Sequence, residues 1–257
     1  MRMTRVRLCM AEIRLRGPEA ELENPTLVEG LPGVGLVGKI ATDHLIEHLD
    51  MRYYASVHCA GLPRIGIYRG GERGVKPPVR LYVSEARDLF ALRSDAPISA
   101  AAVEDIADCL TNWIVEQDVT PIYLSGLPAD LDDEESRDLY GIATGDGEER
   151  LEEADIAVPP EDGVITGPTG ALINSAARDD IDSLGLVVEC NPQFPDPRAA
   201  SVLLEEGIEP LAELEVDVEE LVTSAEEIRA KREQLAQQMQ AIAQEESSQA
   251  QPLRMYQ

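Results

Sequence analysis

Leu27-Val28-Glu29-Gly30-Leu31-Pro32-Gly33-Val34-Gly35-Leu36-Val37-Gly38 is the stretch from which the fold can be read. Thr26–Val28 predicts a short strand. Glycine and proline at Gly30, Pro32, Gly33, Gly35 and Gly38 then break the chain into a turn. An amphipathic helix is expected from about Val37 to His48. Gly33–Gly38 is formally G-x-G-x-x-G, which in a dinucleotide fold brings pyrophosphate onto a helix N-terminus. The acid that should close the second strand is missing, because that strand ends at Val57-His58-Cys59. Lys39 is followed by Ile40 rather than Ser or Thr, which excludes a P-loop. A turn that lets strand and helix pack closely is the better account.

Outward from this unit, apolar runs alternate with amphipathic ones. Strands are expected at Arg52–His58, Val119–Ser125, Leu139–Ala143 and Leu186–Cys190. Ile65–Tyr68 and Val79–Ser84 flank a loop rich in Gly70, Gly71, Gly74, Pro77 and Pro78, a hairpin-like signal. Helices are expected at Ser99–Glu116, with Ser99 as N-cap, at Ala171–Arg178 and at Arg198–Glu206. The alternation predicts an α/β fold, a mixed or mostly parallel sheet flanked by helices. This core should run over residues 10–214.

After Leu214 the composition changes to Glu, Gln, Ala and Leu, with no Gly or Pro from Asp217 to Glu245. Asp217 and Glu220 form a capping box. Val218, Leu221, Ala225, Ile228, Arg232, Leu235, Met239 and Ile242 make a heptad seam broken by Arg232. A long C-terminal helix over 215–246 is expected, lying on its own domain or pairing with another copy. A flexible polar tail over 247–257 follows.

The chain sets 49 acidic residues against 22 basic ones, a formal charge of -27 on 257 residues. Only Lys39, Lys76 and Lys231 are lysines. Such a charge loads the compact state with self-repulsion in dilute buffer. At molar salt the Debye length falls to about 3 Å and the repulsion is largely quenched. Abundant carboxylates with scarce lysine suit a salt-rich cytoplasm. The same balance argues against nucleic acid and anionic membrane as partners. No apolar run approaches the ~20 residues of a membrane span, and no secretory leader is evident. Cys9, Cys59, Cys109 and Cys190 are scattered and read as neutral thiols in a reducing compartment. A cytoplasmic location is therefore expected. Met1–Cys9 carries Arg2, Arg5 and Arg7 and no acid; it is either an over-extended start, with Met10 native, or a flexible arm.

Two further motifs invite chemistry. His44-Leu45-Ile46-Glu47-His48 matches H-x-x-E-H, and two histidines one helical turn apart can share a zinc. Glu116 or Asp118 would have to supply a third ligand, and two surface histidines on an amphipathic helix explain the match as well. Gly167-Pro168-Thr169-Gly170 opens a helix whose free N–H groups could hold an anion, or is simply a proline-led helix start. Neither demands catalysis, and no metal or cofactor is expected.

Leu27–Gly38 resembles the archaeal branch of the proteasome assembly chaperone family. Gly167–Ile173 and Pro195-Asp196-Pro197-Arg198-Ala199-Ala200 agree with it, and the likeness covers roughly Thr26 to Leu214. The resemblance implies a phosphorylase-like α/β core without phosphorylase activity, a homo-oligomer, and action on the core proteasome as assembly factor or activator. Met255-Tyr256-Gln257 fits the hydrophobic-Tyr-X ending by which such proteins dock into the α-ring. There a terminal carboxylate on Gln257 would pair with a lysine between ring subunits. Tyr256 would fill an apolar wall while its hydroxyl finds a hydrogen bond, and Met255 would adapt to the lip. The alternative is a small-ligand enzyme, with Gly33–Gly38 and Gly167–Gly170 holding phosphate or nucleoside. A deep polar pocket joining the two turns would favour it.

Overall fold

The computed structural model describes residues 11–59, 62–71, 73–131 and 135–223, and the structural statements below concern these. The described residues open with β1 (Ala11–Leu15) and β2 (Thr26–Gly30), then pass through the glycine turn into α1 (Val37–His48). Strand β3 (Arg52–Cys59) leads to a small hairpin of β4 (Ile67–Tyr68) and β5 (Val75–Lys76). Strands β6 (Val79–Ser84) and β7 (Leu89–Ser94) precede α2 (Val103–Glu116) and β8 (Thr120–Pro128). The remainder is β9 (Leu139–Thr144), α3 (Glu148–Glu153), α4 (Gly167–Arg178), β10 (Ser183–Cys190) and a helical run of α5 (Pro197–Val202), a π-helical segment and α6 (Glu209–Ala212).

Eight strands form one sheet in the order β1-β3-β6-β7-β2-β8-β10-β9. The pairs β7/β2, β2/β8 and β8/β10 are parallel, whereas β1, β3, β6 and β9 enter antiparallel. The sheet is thus mixed, with a parallel centre. Alternate side chains along each strand feed two cores. Val28, Ala91, Ile122 and Leu186 pack beneath α1 and α5. On the other face Leu27, Phe90, Leu92 and Tyr123 pack with Trp113 and Ile114 of α2 and Leu172 of α4.

Several boundaries differ from those read along the chain. The hairpin closes between β4 and β5, while Val79–Ser84 joins the main sheet. Helix α2 starts at Val103 rather than Ser99, whose carbonyl accepts the Ala102 amide at 2.8 Å in a preceding turn. Strands β1 and β7 and helix α3 have no counterpart in the sequence reading. Leu214, Val216, Val218 and Leu221 are buried in the α1 side core, and Asp217 Oδ1 accepts the Glu219 amide at 2.9 Å. Val218 and Leu221, the first two seam positions, therefore pack on their own domain. The rest of the seam, the first nine residues and the tail lie outside the described residues.

Candidate functional site

The glycine turn owes its shape to close contacts. A Cβ on Gly30 would lie 2.1 Å from Thr42 Oγ1 and 2.5 Å from the Gly38 carbonyl oxygen, so only hydrogen lets β2 touch α1 here. Gly35 has φ +60° and its α-carbon faces Cys190, whose Sγ would be 2.9 Å from an added Cβ. Gly38 faces Leu124 of β8. Pro32 is half-buried, and Gly33 is exposed with open space around it. Gly30, Gly35 and Gly38 thus serve close packing of the turn against α1, β8 and β10.

Glu29, next to this turn, is fully buried on the α4 side of β2. Its Oε1 accepts the Leu31 amide at 2.8 Å, and the Leu124 amide also donates to the carboxyl. The Thr169 hydroxyl donates to Oε2 at 3.1 Å. Burial raises the Glu29 pKa to about 7 against the lowering effect of these three donors. Burial and this neighbouring carboxyl together push the Tyr123 phenol upward. Thr169 belongs to Gly167-Pro168-Thr169-Gly170, so a buried acid joins the two glycine turns.

Asp196 ties in a third segment. Its amide donates to the Gly35 carbonyl at 2.9 Å, and its Oδ1 caps α5 by accepting the Ala199 amide at 3.1 Å. Oδ2 accepts the Asn191 amide at 3.0 Å and Nε of the buried Arg137 at 3.3 Å. Burial first, and Asp196 second, push the Cys190 thiol up to about 12, which makes it a packing group rather than a nucleophile. Leu27–Gly38, Gly167–Gly170 and Pro195–Ala200 thus converge at the carboxyl ends of β2, β8 and β10. That is where open α/β sheets place their functional surface.

The model of the PAC2 family matches residues 27–236, from the first residue of the quoted stretch through all three segments. The chain belongs to the PAC2 family. Two uncharacterized proteins of Methanocaldococcus jannaschii are similar to it. One is 33% identical over 206 residues, covering 79% of this chain and 81% of the relative. The other is 27% identical over 204 residues, covering 78% of each. Among solved structures, Pyrococcus furiosus PbaA, described as an archaeal homolog of proteasome-assembly chaperone, is 26% identical with a TM-score of 0.76. That likeness covers 95% of this chain and 99% of PbaA. Pyrococcus furiosus PbaB, described as an archaeal proteasome activator, shares the fold at 20% identity and TM-score 0.76, over 89% of this chain and 100% of PbaB. The family match ends before Met255-Tyr256-Gln257.

Other titratable groups of this PAC2 protein are engaged structurally. The fully buried Arg80 pairs with Asp95 and donates to the Pro77 carbonyl at 2.7 Å and to the Tyr82 hydroxyl at 3.2 Å. Arg93 binds Asp43 of α1 at 3.1 Å and Asp95 at 2.7 Å, and Lys39 reaches Asp95 at 3.7 Å. Burial alone would raise the Asp95 pKa, but Arg93 and Arg80 outweigh it and hold the group below the usual carboxylate range. His44 Nε2 contacts the Asp217 carbonyl at 2.6 Å. Glu116 and Asp118 lie at the end of α2, across the sheet from α1. Among the described residues no three His, Cys, Asp or Glu groups gather as metal ligands. The structure thus brings together the glycine turn and Gly167–Gly170 but, among the described residues, gathers no third ligand with His44 and His48. Glu29, Thr169 and Asp196 went unassigned as a linked set. A lone acid in the apolar run Thr26–Val28 to Leu31 was the available signal.

Proposed function

We propose that this chain is a non-enzymatic, homo-oligomeric cytoplasmic protein that binds the core proteasome α-ring as an assembly factor or activator. Its docking element would be Met255-Tyr256-Gln257, several tails from one oligomer gaining avidity through effective concentration. The observation that carries the reading is family membership together with the likeness to PbaA over nearly the whole chain. The acidic composition adds that binding should operate in molar salt, where long-range steering is screened and short-range contacts decide.

The small-ligand alternative is weakened by the junction of the two turns. A phosphate there would meet the buried Glu29 carboxyl, which already accepts the Leu31 amide and the Thr169 hydroxyl.

Removing Met255, Tyr256 and Gln257 should abolish co-purification of the core proteasome in molar KCl, while the protein stays folded by circular dichroism. Undiminished capture by the shortened chain would rule out the tail as the docking element.

A further inference from the structure

Two exposed segments of this acidic chain are opposite in charge and alike in carrying bare apolar side chains. The first is the β4–β5 hairpin. Residues 63–77 hold Arg64, Arg69, Arg73 and Lys76 against the single acid Glu72, in a chain of net charge -27. Tyr68 is 79% exposed and Val75 69% exposed, with Ile65 beside them also open to solvent. The second is the connection from α3 to α4. Residues 155–164 hold Asp155, Glu161 and Asp162 with no cation. Val158 and Val164 there are 76% and 88% exposed. Arg64, Arg73, Glu161 and Asp162 are all exposed and make no ion pair among the described residues.

No ion pair joins the two segments within one molecule among the described residues. The hairpin connects β3 to β6, near one edge of the sheet. The acidic segment begins against the opposite edge, where the Ala157 carbonyl accepts the Gly141 amide of β9 at 2.8 Å. It ends nearer the centre, where it leads into α4 and the Thr169 hydroxyl meets Glu29 of β2 at 3.1 Å. The exposed groups of each segment are therefore open to a contact that runs from one copy to the next.

We infer that the basic hairpin of one copy docks on the 155–164 segment of a second copy, in a head-to-tail interface. The Arg64 and Arg73 guanidinium groups meet Glu161 and Asp162, while Tyr68 and Val75 cover Val158 and Val164. Charge complementarity selects this occupant, because the rest of the chain is acidic and would repel a like surface. Once desolvated, such pairs are screened by salt far less than exposed ones. A heterologous contact of this kind closes into a ring or extends into a filament, according to the rotation between copies. This inference rests on the homo-oligomer part of the proposed function and is independent of the tail.

The test is molar mass by light scattering of the full chain in molar KCl. The unaltered protein should be oligomeric. The pair Arg64→Glu with Arg73→Glu should give monomers, and so should Glu161→Arg with Asp162→Arg. All four changes in one chain should restore the oligomer, since the swapped charges again match. An oligomer unmoved by either pair overturns this surface while leaving the homo-oligomer standing. A fourfold variant that stays monomeric overturns it too, and an unaltered protein that is monomeric overturns both. Loss of proteasome capture by the hairpin pair with the oligomer intact would assign the hairpin to the proteasome instead, and would also overturn the inference.

Discussion

Gly30→Ala is expected to destabilise the fold by about 3 kcal/mol, the upper end of the usual range for forcing an extra methyl into a packed interior. The added Cβ would sit 2.1 Å from Thr42 Oγ1, 2.4 Å from Thr42 Cβ and 2.5 Å from the Gly38 carbonyl oxygen. One of these is backbone, so a side-chain rotation cannot relieve the clash. Helix α1 would have to move away from β2, opening the contact that buries Ala41 and Leu45. Gly33→Ala supplies the internal control. Gly33 is extended, with φ -133°, and nothing lies within 4 Å of an added Cβ. Its substitution should change stability by less than about 0.5 kcal/mol, as for an ordinary surface site. Guanidinium unfolding of both variants would show the difference, and equal losses would contradict this reading of the turn.

The second large effect is the pH dependence built into Glu29. Its folded pKa of about 7 stands above the ordinary 4.5 because burial disfavours the carboxylate. Below pH 4.5 the acid is protonated in folded and unfolded chains alike, and its contribution is fully present. As the pH rises toward 7 the unfolded chain releases its proton first, so stability falls. Above 7 the loss levels off at about 3 kcal/mol, at about 1.4 kcal/mol per pKa unit. Glu29→Gln keeps an acceptor for Leu31 and removes the titration. The variant should gain about 3 kcal/mol on the parent between pH 4 and pH 8. Parallel stability curves for the two proteins would mean that Glu29 does not titrate as its burial implies.

Much of the fold was legible where local pattern and tertiary role agree. Val37–His48 and Val79–Ser84 occur with the expected bounds because an amphipathic helix and an apolar strand each announce themselves. Strand β7 did not, since its apolar run Leu89–Leu92 is only four residues long and the partner of Arg93, Asp43, stands fifty positions away. Strand β1 alternates Glu12 and Arg14 with Ile13 and Leu15 over only five residues, a weak signal for an edge strand. Ser99 looked like a cap, but the turn from Ser99 to Ala102 delays the helix to Val103. At the site, the glycine turn, Gly167–Gly170 and Pro195–Ala200 were each visible as segments. Their convergence was not, because it depends on Glu29 reaching Thr169 across 140 residues and on Asp196 meeting Gly35.

The central claim is that this PAC2 protein binds the core proteasome through its last three residues. A binding isotherm of the purified full chain on immobilised core proteasome in molar KCl tests it most directly, with Tyr256→Ala measured alongside. Saturable binding that Tyr256→Ala weakens tenfold or more is the predicted result, and equal binding by the two, or none by either, would contradict it.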